Sequence, residues 1–206
     1  MEPFIIATHN EKKRAELARI LAPLGISVQT AAQIGCVLPE VEETGTTFAE
    51  NARLKAESAL RATGLPAVAD DSGLEVDALH GAPGVYSARY AGADATDRDR
   101  YEKLLREMAD VPDARRTARF VSAVCCVFPD GTSVEVRGEC AGRIARAPSG
   151  TGGFGYDPVF LVGDRTYAEL TDAEKDEISH RGRALRALRE ALCQRMKEKE
   201  ICNAHK

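Results

Sequence analysis

The sequence predicts an α/β protein with a mixed β-sheet, flanking helices and two lobes around a substrate cleft. Three observations carry that expectation. Short apolar runs alternate with amphipathic helical stretches through the first half of the chain. After Pro112 two β-rich stretches, Thr117 to Phe128 and Thr132 to Ile144, flank Pro129-Asp130-Gly131, a good hairpin turn. Between these halves the run Leu65-Pro66-Ala67-Val68-Ala69 closes on two acids, Asp70 and Asp71, followed at once by Ser72-Gly73. A run that short, ended by a glycine turn, reads as a buried strand, and open α/β sheets place their ligands at the carboxyl ends of such strands.

The elements follow in order. Phe4 to Thr8 is a first strand, and Asn10 then caps a helix to about Leu24 with Leu17, Ile20 and Leu21 on its apolar face. Gly25 ends it, and Ile26 to Thr30 is a second strand. Thr47 to about Thr63 is a helix stopped by Gly64. The acid-ended strand comes next, then a Gly/Ala/Tyr/Ser-rich connection from Gly73 to Gly92, long enough to suggest a functional loop. Thr96 opens a helix through about Met108. After the hairpin, Gly150 to Tyr156 is glycine-rich, Asp157 to Val162 is a strand, and Ser179 caps a last helix to about Lys197. Residues 1–198 make one large domain of two lobes, with 199–206 as a C-terminal tail.

At 206 residues, 44% hydrophobic and 29% charged, the chain can bury a proper core. A net charge of −4 argues against a general nucleic-acid binder, which needs a basic face, but leaves room for a small anionic ligand. The six cysteines (36, 125, 126, 140, 193 and 202) form neither a CxxC pair nor a secreted framework. Nothing resembles a signal peptide or a membrane span, so the expected location is cytoplasmic, with reduced thiols.

Several segments carry candidate chemistry. Successive strand side chains face opposite ways, so one of Asp70 and Asp71 can point into a cleft while the other anchors the turn. Close carboxylates hold Mg²⁺ or take a proton from water, and either task suits attack on a phosphate. Asp is also a common turn residue, which is the plainer reading of the pair. Thr8-His9-Asn10-Glu11-Lys12-Lys13 lies at a strand-to-helix junction, where free N–H groups and the helix dipole favour an anion and Lys13 can pair with it. An Asn cap beside solvated lysines is the alternative. Glu40, Glu42 and Glu43 precede Thr44-Gly45, with Lys55 in the helix beyond; they are either a solvated acidic loop or the source of a second metal carboxylate. Phe154-Gly155-Tyr156-Asp157 ends a glycine-rich segment where a flat base can stack on Phe154 while nearby backbone N–H groups read its edge, unless the segment is only a flexible connection. His180 and Arg181 place cations at a helix start, against the dipole, which argues for an anionic or carbonyl partner. Neither a nucleophile elbow around Ser72 or Ser87 nor a zinc spacing is present.

Together these segments resemble the nucleoside-triphosphate pyrophosphatases that remove inosine and xanthosine triphosphates, the HAM1-like family. The likeness rests on five stretches in the family's order: Thr8-His9-Asn10 with Lys13; Glu42 to Gly45 leading to Phe48, Glu50-Asn51-Ala52 and Lys55; Ala69 to Leu74 and on through Gly81 to Tyr90; Gly153 to Pro158; and Ser179-His180-Arg181. It spans roughly residues 4 to 192. The resemblance implies an elongated two-lobed α/β fold, a homodimer, and hydrolysis of ITP, dITP or XTP to the monophosphate and diphosphate with Mg²⁺. It implies Asp71 as proton acceptor and metal ligand, with Glu42 as the other ligand. It implies phosphate contacts from Thr8 to Lys13, Lys55 and Ser72. Base contacts fall to Phe154, Gly155, Tyr156, Asp157, Lys175, His180 and Arg181. A 6-oxo purine is selected by donors facing that oxygen, and the N–H groups near Phe154, with His180 and Arg181, suit that task. Two rivals remain at this stage: a nucleotide-binding module without catalysis, and a pyrophosphatase for modified pyrimidine nucleotides.

Overall fold

The computed structural model describes residues 3–8, 10–22 and 27–204. His9 and Gly25, both invoked above, lie outside the described residues. The strands are β1 (Phe4–Ile6), β2 (Val28–Thr30), β3 (Ala67–Val76), β4 (Thr117–Val127), β5 (Ser133–Ile144), β6 (Phe160–Val162) and β7 (Arg165–Thr166). The helices are α1 (Glu11–Leu21), α2 (Phe48–Thr63), α3 (Asp97–Glu107), α4 (Asp172–Ile178) and α5 (His180–Ala204). One sheet runs in the order β2-β1-β3-β4-β5-β6-β7. β1 is parallel to β2 and β3, whereas β5, β6 and β7 pair antiparallel, so the sheet is mixed as expected. Among the described residues no helix is long and apolar enough to cross a membrane.

By its internal contacts the chain divides into two compact units. The first comprises Met1–Asp71, Ala123–Gly138 and Arg183–Lys206; the second comprises Ser72–Ser122 and Glu139–Gly182. In the first unit strand alternation sorts the side chains into two layers. Phe4, Ile6 and Val68 pack against Leu17, Ile20 and Leu21 of α1 and Ala184, Leu185 and Leu188 of α5. Ile5, Ala7, Ala67 and Ala69 pack the other way, against Ala52, Ala56 and Ala59 of α2. The small residues on α2 leave space beside β3 for longer polar side chains. Capping is equally local: Thr47 and Glu50 form a capping box at the start of α2, and Gly64 closes it at φ 70°.

The second unit packs Leu74, Val76, Leu104, Met108, Phe120, Phe160 and Tyr167 into one core. Arg116 is buried there and donates to the carbonyls of Met108, Ile144 and Ala145, tying the end of α3 to the end of β5. Those bonds satisfy a desolvated guanidinium.

Four expectations change. β3 does not stop at the acids. It runs on through Ser72 and Gly73 to Val76, because Leu74 and Val76 are apolar at alternate positions and are claimed by the second core. The acid pair is therefore mid-strand, and neither acid anchors a turn. Asp157–Val159 is a 3₁₀ turn rather than strand, and β6 begins at Phe160. A helix not expected from periodicity, α4, opens with a Thr171–Glu174 capping box. α5 continues past Lys197 to Ala204. The hairpin turn holds as predicted: Gly131 sits at φ 80° and donates to Phe128 O, while Asp130 Oδ1 accepts from Thr132 N.

Candidate functional site

In the first unit the acid pair faces two ways. Asp70 shares the layer of Val68, and Lys13 Nζ of α1 lies 3.8 Å from its Oδ1. Asp71 shares the layer of Ala67 and Ala69, and Lys55 Nζ of α2 donates to its Oδ1 at 2.8 Å. The same Nζ donates to Glu43 Oε1 at 2.9 Å. A second α2 residue, Asn51, is fully buried and donates from Nδ2 to Asp71 Oδ2 at 3.4 Å. Burial pushes the Asp71 carboxyl above the ordinary aspartate range, and Lys55 and Lys13 only partly offset it. Burial pulls Lys55 down, but Asp71, Asp70 and Glu43 together hold it above the ordinary lysine range.

The start of α1 is built as the sequence suggests. Asn10 Oδ1 accepts from Lys13 N at 3.0 Å, and Thr8 Oγ1 accepts from Asn10 N at 3.2 Å. This fixes the first turn that carries Lys13. Glu11 is exposed and pairs with Arg14, and Lys12 is exposed. Glu40 and Glu42 are exposed, whereas Glu43 is the acid of that loop that reaches the lysine. Of these residues Asn51 is the one the sequence gives no role, whereas Glu43 and Asp70 stand there as alternatives to Glu42 and Asp71. Asn51 carries a usable signal, since it lies one helical turn before Lys55 on a face otherwise made of Phe48 and alanines.

In the second unit the glycine-rich segment is ordered rather than a flexible connection. Gly152 N donates to Ala168 O, Ser149 N to Pro158 O, and Thr166 Oγ1 to Ser149 O. Gly153, at φ 69°, has no room for a side chain, because a Cβ there would meet Asp157 Oδ2 at 2.0 Å. Asp157 Oδ2 accepts from Phe154 N at 2.8 Å and from Lys175 Nζ at 2.7 Å. The Lys175 ammonium lies 4.7 Å from the Phe154 ring centre and the Arg181 guanidinium 5.9 Å from it. Arg181 also donates from Nη2 to the Ser72 hydroxyl at 2.8 Å, a neutral acceptor where the sequence suggests an anionic or carbonyl one.

Other assignments shift. Gly155 N donates to Asp97 Oδ2 at the start of α3 at 2.8 Å and Phe154 N donates to Asp157, so both N–H groups are engaged within the protein rather than offered to a base. Tyr156 is buried and its hydroxyl donates to Ser87 O, which makes it an anchor. His180 is buried with its ring stacked on Phe120 at 4.7 Å and parallel to Tyr167 beyond. Phe120 was not foreseen, because nothing in a β-rich stretch marks one ring as a platform.

A sequence model of the Ham1 family matches residues 4–191. A curated relative named dITP/XTP pyrophosphatase, from Mycolicibacterium paratuberculosis, is 54% identical over 93% of this chain and 96% of its own length. One of the same name from Escherichia coli K12 is 50% identical over 93% of this chain and 98% of its own. Among solved structures, a HAM1 protein from Coxiella burnetii superposes with a TM-score of 0.84 at 43% identity, covering 94% of this chain and 100% of that one.

Proposed function

This chain belongs to the Ham1 family, and from that premise we propose that it hydrolyses ITP, dITP and XTP to the monophosphate and diphosphate. Water attacks the α-phosphorus, the bond from that phosphorus to the α–β bridging oxygen breaks, and diphosphate leaves with the electron pair. Asp71 takes the proton from the attacking water. The observation that carries this reading is the buried Asp71 carboxylate, raised in pKa and oriented by Lys55. A base of raised pKa is better matched to work near neutral pH.

Lys13 and Lys55, with Thr8 and Asn10, hold phosphate oxygens in this reading, with Ser72 beside them, and an anion at the start of α1 is favoured by the helix dipole. Phe154, Lys175, His180 and Arg181 hold the base, with Asp157 keeping Lys175 in place. Two carboxylates, of Asp71 and Glu43, converge on a single cation, the Lys55 ammonium. Among the described residues no larger cluster of acids, histidines or cysteines gathers. Mg²⁺ takes one or two carboxylates and completes its shell with water and substrate phosphates, so Asp71 with one further acid of the Glu42-Glu43 segment is a sufficient donor set. Asp71 and Glu42 would hold the ion while Glu43 stays on Lys55. When bound, Mg²⁺ neutralises charge on the phosphates. The reading includes a homodimer in the cytoplasm, checked by sedimentation velocity and by fractionation.

The test is diphosphate release from a nucleotide panel with Mg²⁺ and with chelator. Diphosphate from ITP, dITP and XTP, with little from ATP or GTP, is expected. Orthophosphate as first product, equal rates on ATP, preference for a modified pyrimidine, or tight binding without turnover would each overturn the reading. Full activity in chelator would remove the metal from it.

A further inference from the structure

Asn51 makes two contacts whose consequence extends past its own helix. Its Oδ1 accepts from Gly45 N at 2.8 Å, and its Nδ2 donates to Asp71 Oδ2 at 3.4 Å. The first bond settles the amide's orientation. Gly45 N–H is a donor, so the oxygen must face it and the NH₂ must face Asp71. The approach is close by design of the sequence, because a Cβ at Gly45 would fall 2.6 Å from Asn51 Oδ1 and 2.7 Å from Glu50 Cβ. Asn51 is fully buried, so water cannot substitute for either partner.

Asp71 consequently has different partners on its two oxygens. Lys55 donates to Oδ1, and Asn51, one turn earlier on α2, donates to Oδ2. A lysine alone leaves a carboxylate free to rotate about its Cβ–Cγ bond; a second donor on the other oxygen fixes its plane. The other end of the same amide holds Gly45, the residue that closes the Glu42-Glu43-Thr44 segment.

We infer that Asn51 is a positioning residue: through one buried amide it sets the plane of the Asp71 carboxylate and ties the acidic Glu42–Gly45 segment to it. This inference rests on the proposed hydrolysis only for its kinetic consequence. Misplacing a catalytic group by an ångström costs up to about 100-fold in rate with little effect on substrate binding.

Two measurements test it on the full chain. The first is a double-mutant cycle in urea unfolding with Asn51→Leu, Asp71→Ala and the pair together; contacting residues give non-additive midpoints. Additive midpoints would overturn the inference even if the protein proved to have no pyrophosphatase activity. The second is steady-state kinetics on ITP. Asn51→Leu is expected to lower kcat about 10- to 100-fold with KM within about 2-fold, corrected for the folded fraction. Asn51→Asp keeps the acceptor for Gly45 N but removes the donor to Asp71, and it is expected to stay deficient. Wild-type turnover in Asn51→Leu, or recovery in Asn51→Asp, would overturn the positioning of Asp71. Absence of diphosphate release from the wild-type chain would count against the proposed function, leaving the unfolding cycle to decide the contact.

Discussion

The two units hold their polar groups by different devices. In the first, polar side chains stand on regular elements: Asp70 and Asp71 on β3, Lys13 on α1, and Asn51 and Lys55 on α2. Each acid meets its lysine because strand alternation sends it to one layer or the other. In the second, cations and rings come from a loop, a 3₁₀ turn, the last turn of α4 and the start of α5, and Lys175, Asp157, Phe154 and Arg181 are held by one another. A charge placed by alternation keeps its position when a partner is removed, since the sheet holds it. A charge placed by its partners does not. The first arrangement suits chemistry at a fixed atom; the second suits recognition of a shape.

The largest expected effect breaks the first arrangement. Asp71→Asn keeps volume and fold but removes the proton acceptor, and diphosphate release from ITP should fall about 10²- to 10⁴-fold. A near wild-type rate would move the role elsewhere, with Asp70 the first candidate. Next, Lys175→Met leaves Asp157 as an uncompensated buried charge, which typically costs about 3–5 kcal/mol. The Lys175–Asp157 pair is 5% and 3% exposed, against 16% and 8% for Lys55–Asp71. Lys55→Met should therefore destabilise less in urea unfolding, and an equal loss would erase the distinction between the units.

Selectivity separates the regions in another way. Lys13→Ala should weaken every nucleotide alike, whereas His180→Ala should shrink the ratio of kcat/KM for ITP over ATP. One lost hydrogen bond to a buried oxygen costs about 1–3 kcal/mol, which is roughly 10- to 100-fold in that ratio. If Lys13→Ala moves the ratio and His180→Ala does not, the two ends of the ligand are assigned backwards.

The smallest effect concerns the helix that carries Lys175. The Thr171 backbone N–H, then Arg165 and the Thr171 hydroxyl, hold Glu174 at a pKa of about 2, below its ordinary 4.5. A depressed carboxylate contributes stability that is complete above its ordinary pKa and is lost as pH falls toward the folded value. The difference in Tm between wild type and Glu174→Gln should thus narrow from about pH 5 to about pH 3. A gap that widens on acidification would contradict the sign.

Much of the fold was readable because it is local. Capping residues Asn10, Thr47, Thr96 and Ser179 announced their helices, Gly64 ended one, and Pro129-Asp130-Gly131 marked its turn. The capping box at Thr171 and Glu174 was equally legible, yet α4 is too short to show a period. The end of the acid-bearing strand was misread because Ser72-Gly73 carries turn chemistry, and only the pull of Leu74 and Val76 into another core keeps it extended.

By itself the sequence determined most of the element types, the mixed sheet and the family, and it singled out Asp71, Lys55, Lys13 and Arg181 as candidates. The tertiary structure alone decided their partners. It chose Glu43 over Glu42 for Lys55, gave each acid its own lysine, put Asn51 behind Asp71, spent the Phe154 and Gly155 N–H groups on Asp157 and Asp97, and laid His180 on Phe120. The division has a physical reason. Caps, turns and periodicity act over a few residues, so a linear reading finds them. Which of several acids or rings meets a given cation depends on packing between segments tens of residues apart, and no local spacing encodes that distance.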